Sequence, residues 1–140
     1  MIIIQGDDAV LQLSIQTYER AESEIPEDNN WLRAEIAAKI AGFSSSVTLA
    51  ITTIELNEFL NQLRRILAVS RGVARLETSE KQLWIEIDLK TTGTALVAIR
   101  IVDPGFPRCK LECQFSTDQT YLQTTSKNLE KMMAAYPIRS

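Results

Sequence analysis

Apolar and polar residues alternate over most of the first fifty positions. Ala9, Leu11, Leu13 and Ile15 share one side, with Gln12, Ser14 and Gln16 on the other, the period of a half-buried strand. The acidic, proline-broken stretch from Glu19 to Asn30 predicts an exposed loop, the longest irregular segment of the chain. Alternation resumes at Trp31, where Leu32, Ala34, Ile36, Ala38 and Ile40 oppose Arg33, Glu35 and Lys39. After a tight turn allowed by Gly42, Phe43, Ser45, Val47, Leu49 and Ile51 alternate with Ser44, Ser46 and Thr48, completing a hairpin.

The period then lengthens to about 3.6. Thr52-Thr53-Ile54-Glu55 has the spacing of a capping box, in which hydroxyl and carboxylate each satisfy the other residue's free N–H. Leu56, Phe59, Leu60, Leu63, Ile66 and Leu67 follow at helical spacing, so an amphipathic helix of about four turns is expected to stop before Gly72. Four further strands fit Val73–Glu77, the stretch around Leu83–Leu89, Ala95–Val102 and the segment holding Cys109 and Cys113. Ser116-Thr117-Asp118-Gln119 is a second capping signal. It opens a helix with Leu122, Thr125, Leu129, Met132, Met133 and Tyr136 on its buried side and Pro137 at its end.

This order, about four strands and a helix and then the same again, predicts one α+β domain over residues 1–140. The domain is dominated by antiparallel β-sheet of about seven to eight strands, with helices after the fourth strand and at the C-terminus. Local sequence does not repeat between the halves, so the symmetry is only a hint of duplication.

Composition adds boundaries. At 140 residues, 45% hydrophobic and 24% charged, the chain has the size and balance of a single globular unit. Met1-Ile2-Ile3-Ile4-Gln5 meets Gly6-Asp7-Asp8 too soon to be a secretory signal. No apolar run approaches the roughly 20 residues that span a bilayer, so a cytoplasmic location without membrane contact is expected. Cys109 and Cys113 lie four apart on one predicted strand, about 13 Å between Cα atoms and beyond disulfide reach. Sharing a face with Leu111 and Phe115, they read as small buried hydrophobes. The net charge of −3 divides into −7 over residues 1–60 and +4 over residues 61–140. An acidic half attracts basic proteins and repels nucleic acid.

Chemistry is sparse. Histidine is absent, which removes Ser-His-Asp and Cys-His nucleophile systems and the common zinc sites. No phosphate loop, dinucleotide glycine fingerprint or nucleophile elbow occurs. Glu86 and Asp88 project from one strand face, but a metal or glycosidase pair needs a second acidic cluster that no spacing supplies. Asp7-Asp8 and Glu27-Asp28 read as turn residues. Arg64, Arg65, Arg71 and Arg75 lack interleaved aromatics and read as a solvated face rather than a nucleic-acid patch. No enzyme activity, metal or cofactor is expected.

Two tryptophans fall out of phase with their apolar neighbours. Trp84 shares a face with Glu86 and Asp88, and Trp31 follows the acidic loop. Each is either a contact residue, since Trp is enriched at interface hot spots, or a side chain tucked beneath a neighbouring element.

Several ordered features together resemble one bacterial family. They are Asp28-Asn29-Asn30-Trp31-Leu32, Phe43-Ser44, Thr52-Thr53-Ile54-Glu55-Leu56 leading into Phe59-Leu60 and Leu63, and Leu129-Glu130-Lys131-Met132 with Tyr136-Pro137-Ile138-Arg139. The chain is similar to the WapI-type immunity proteins, small cytoplasmic proteins that protect a bacterium from a contact-dependent toxin of its own polymorphic system. That resemblance implies a non-enzymatic protein that binds and neutralises a toxin domain, and it carries over no individual contact residue. The expected contact residues are Glu22, Glu24, Glu27 and Asp28 with Trp31, facing a basic toxin, and Trp84, Glu86 and Asp88. The alternative is an accessory homodimer without catalytic activity, paired through Ala95–Val102 if that strand lies at a sheet edge.

Overall fold

A computed structural model of the chain describes residues 1–19 and 28–139. Eight strands form two antiparallel four-stranded sheets, each in sequence order. The first holds β1 (Ile2–Gly6), β2 (Ala9–Tyr18), β3 (Trp31–Ile40) and β4 (Phe43–Thr52). The second holds β5 (Gly72–Glu77), β6 (Leu83–Leu89), β7 (Thr94–Asp103) and β8 (Cys109–Asp118). Helix α1 (Thr53–Val69) follows β4, and α2 (Gln119–Ala135) follows β8. The α+β class, the strand count and the places of both helices are those the periodicity predicts.

Period-two patterning builds the core directly. Leu11, Leu13, Leu32, Ala34, Ile36, Leu49 and Ile51 of the first sheet are buried, as are Leu76, Ile85, Ile87, Val97, Ile99 and Ile101 of the second. Phe59 of α1 reaches the space between the inner faces, beside Ile4, Leu13, Ile36, Leu76 and Ile85. Polar residues at the intervening positions leave the outer face of each sheet open to water. β2 departs from strict register between Ile15 and Thr17, an irregularity of the bulge type.

The capping box at Thr52 forms as expected. The Thr52 hydroxyl accepts from the Glu55 N–H at 3.0 Å, and Glu55 accepts from the Thr52 N–H at 2.9 Å. The second cap differs. Asp118 is the N-cap of α2, its carboxylate accepting from the Tyr121 N–H. Thr117 instead ends up in β8 and donates its hydroxyl to the Gln5 carbonyl. At the β3–β4 turn Ala41, not Gly42, carries the positive φ of 53°.

Each helix serves the other half of the molecule. α1 packs on β5, α2 packs on β1, and the helices pack on each other. Gln62 of α1 accepts from the Arg75 N–H of β5 at 2.9 Å. On the other side Thr125 of α2 donates to the Ile3 carbonyl and Thr117 to the Gln5 carbonyl. The exposed edges of β1 and β5 thus find their hydrogen-bond partners in the opposite unit.

One condition fails and one expectation is overturned. Ala95–Val102 is no edge: β7 lies between β6 and β8 with a full ladder on both sides, so a homodimer cannot pair through it. Cys109 is exposed and Cys113 half-buried, because the start of β8 runs past the covered part of the core. Burial raises the Cys113 thiol above its usual pKa.

Candidate functional site

The outer face of the second sheet gathers the side chains that period two puts out of phase with the core. Registry places Trp84 between Glu77 and Arg100, with Glu112 beyond. Glu86 lies between Arg75 and Ala98, and Asp88 between Val73 and Leu96. Trp84 is half-buried. The Arg100 guanidinium sits 5.2 Å from its ring centroid, within cation–π range. Small Ala98 leaves an open depression of about 270 Å³ beside the indole, walled by Arg100, Glu112 and Gln114.

Charges on this face are matched locally. Arg75 Nε lies 2.7 Å from Glu86 Oε2, and Lys90 Nζ lies 2.7 Å from Asp88 Oδ2. Glu112 receives Arg100 at 3.2 Å and Lys110 at 3.0 Å, and Lys81 bonds Glu77. The hydrogen bond from Lys110, its charge and then Arg100 hold the Glu112 carboxyl below its usual range, and Lys81 does the same for Glu77. Exposed pairs of this kind contribute little to stability. Their effect is on recognition: Glu86 and Asp88 do not present bare negative charge. The face instead offers an aromatic and an arginine, the types that dominate interface energies, with apolar Val73 and Leu96 exposed alongside.

A family model described as "Immunity protein WapI-like family" matches residues 1–137. The chain belongs to the WapI-like immunity protein family. No individual curated protein matches the sequence. Among solved structures, the plant transcriptional regulator PBF-2 aligns with TM-score 0.55 at 5% identity, covering 96% of this chain and 79% of that one. That likeness is one of fold. A CdiA-CT/CdiI toxin and immunity complex from Enterobacter cloacae aligns with TM-score 0.48 at 10% identity, covering 86% of this chain and 99% of that one.

In this WapI-like chain the other expected contact residues are placed differently. Glu22, Glu24 and Glu27 lie outside the described residues, and Asp28 opens a single 3-10 turn, Asp28–Asn30. Trp31 is half-buried at the start of β3, opposite Thr52, and its carbonyl accepts from the Glu19 N–H at 2.8 Å. It therefore belongs to the other sheet from Trp84. Beside it, buried Asn30 accepts from the Thr53 hydroxyl at 2.6 Å and from the Arg139 N–H at 2.8 Å, and donates to the Arg139 carbonyl. The Arg139 guanidinium stacks 3.4 Å over the Tyr18 ring, and the Tyr18 hydroxyl donates to the Pro137 carbonyl. This clasp fixes Pro137–Arg139 against the base of the acidic segment.

Sequence reasoning missed Arg100, Glu112 and Gln114, which only strand registry brings to Trp84. The arginine cluster disperses: Arg64 pairs with Glu130 of α2 at 3.1 Å, whereas Arg75 joins the sheet face. Among the described residues no group of three or more His, Cys, Asp or Glu could hold a metal ion. No helix among them is long and apolar enough to cross a membrane.

Proposed function

We propose that this chain binds a bacterial toxin domain in the cytoplasm and neutralises it by direct contact, without catalysing a reaction. The family match over residues 1–137 carries the reading. The outer face of the second sheet supports it physically. Trp84 and Arg100 supply anchoring side chains beside a depression that a partner's side chain can fill, and the ion pairs around them form a polar rim. The acidic residues Glu22, Glu24, Glu27 and Asp28 add charge that speeds association with a basic toxin and makes it salt-sensitive.

Co-expression with any toxin domain encoded beside its gene tests the proposal. Rescue of growth together with co-purification of the two chains is the expected result. Growth arrest despite abundant folded protein, with no complex on gel filtration, would refute it.

A further inference from the structure

Four strands lie at sheet edges, and three of them are protected. β1 and β5 have their backbone groups taken by Thr117, Thr125 and Gln62. β8 carries Lys110 and Glu112 and follows Pro104 and Pro107, the charges and prolines that discourage pairing. β4 differs. Its ten residues, Phe43–Thr52, hold no charge and no proline.

Backbone direction shows which groups are on offer. In an antiparallel strand the N–H and C=O of one residue point the same way, and the direction alternates along the chain. The Thr48 carbonyl faces outward, where it accepts from Gln82 Nε2 at 3.3 Å. Ser44 and Ser46 share that direction, and among the described residues their backbone groups have no bond outside the sheet. Alongside runs a groove of about 300 Å³, lined by Phe43, Val47, Ile101 and Leu111 together with the β4 serines, Cys109 and the charged Asp103 and Lys110. Phe43 is 70% exposed. Ser45 Oγ is closed to solvent and has no hydrogen-bond partner, although buried polar atoms are almost always satisfied.

We propose that the outer edge of β4 is a strand-addition site that takes an extended segment of the toxin domain; this rests on the toxin-binding reading above. The occupant's chemistry follows from the edge. Lateral donors and acceptors at Ser44 and Ser46 require a backbone, and the apolar part of the groove, Phe43, Val47, Ile101 and Leu111, takes apolar side chains at every second residue. A toxin segment is preferred to a second copy because the groove and the depression beside Trp84 are both lined by β7 and β8.

The test takes the full chain with any toxin domain encoded beside its gene and uses titration calorimetry and amide hydrogen exchange. Ser46→Pro removes an outward N–H that the β3–β4 ladder does not use, and Ser44→Lys adds an edge charge that folding tolerates even if proline does not. Both variants should bind at least tenfold more weakly at unchanged melting temperature, and the Ser44 and Ser46 amides should become protected in the wild-type complex. Wild-type binding with both variants unaffected and no protection overturns the edge assignment and leaves the toxin-binding reading standing. No binding by the wild type overturns both. A dimer of this chain alone that either variant dissolves overturns the choice of occupant.

Discussion

Thr125 Oγ1 lies 2.7 Å from the carbonyl oxygen of Ile3, a hydrogen bond from the last helix to the first strand. It ties elements 122 residues apart and closes an edge that water would otherwise occupy. Thr125 is fully buried, so Thr125→Val leaves the Ile3 carbonyl short of a partner. We expect a loss of about 1–3 kcal/mol in urea unfolding. Thr125→Ser, which keeps the hydroxyl, should recover most of it.

The same seam makes Gly6 irreplaceable. A Cβ there would lie 2.2 Å from the Ser116 carbonyl oxygen and 2.6 Å from the Phe115 ring. Because the first obstacle is backbone, β1 and β8 must move apart. Gly6→Ala should cost about 1–3 kcal/mol, whereas Gly42→Ala, with nothing within 4 Å, should leave the melting temperature nearly unchanged.

Trp84 separates binding from folding. Its ring sits on the outer face against Arg100 rather than in the core. Trp84→Ala should weaken toxin binding by at least tenfold, about 1.4 kcal/mol or more, as hot-spot tryptophans do. Circular dichroism should still report a folded chain. Equal affinities for wild type and variant would exclude this face from the interface.

Tyr18 should make the clasp sensitive to alkali. Burial raises its phenol above the ordinary value of 10.0, the Arg139 guanidinium opposes this, and Tyr136 adds to the rise. A raised folded pKa means stability present in full below the unfolded value and lost as pH climbs through the folded one. The phenolate also loses the proton it donates to Pro137. Tyrosinate absorbance should show a phenol titrating above the ordinary value, and Tyr18→Phe should abolish it along with the matching fall in stability.

Much of this architecture was readable from spacing. Alternation along β2, β3, β6 and β7 named the inward residues, because a half-buried strand has no other way to hide them. Thr52 and Glu55 announced α1 through chemistry confined to four residues. Failures came where distant groups decide. Ser116 reads locally as a cap, yet it lies within β8, where Gln5 at the far end of the chain claims the hydroxyl of its neighbour Thr117. Cys109 has the phase of a core residue but sits where β8 runs beyond the core. At the candidate face, period two grouped Trp84, Glu86 and Asp88, whereas the cations that neutralise two of these strands' acids, Arg75 and Arg100, depend on register. Pairing across strands leaves no trace in local pattern.

The exchange of helices between the two halves has a consequence for synthesis. A nascent chain that has emerged only as far as α1 holds a sheet whose first strand still awaits its lid, and the α1 helix has as yet no β5 to rest on. Fragments divided near Arg71 should each remain insoluble or partly unfolded when made alone and regain the native spectrum when mixed. Protection would then begin only when translation has reached the second helix.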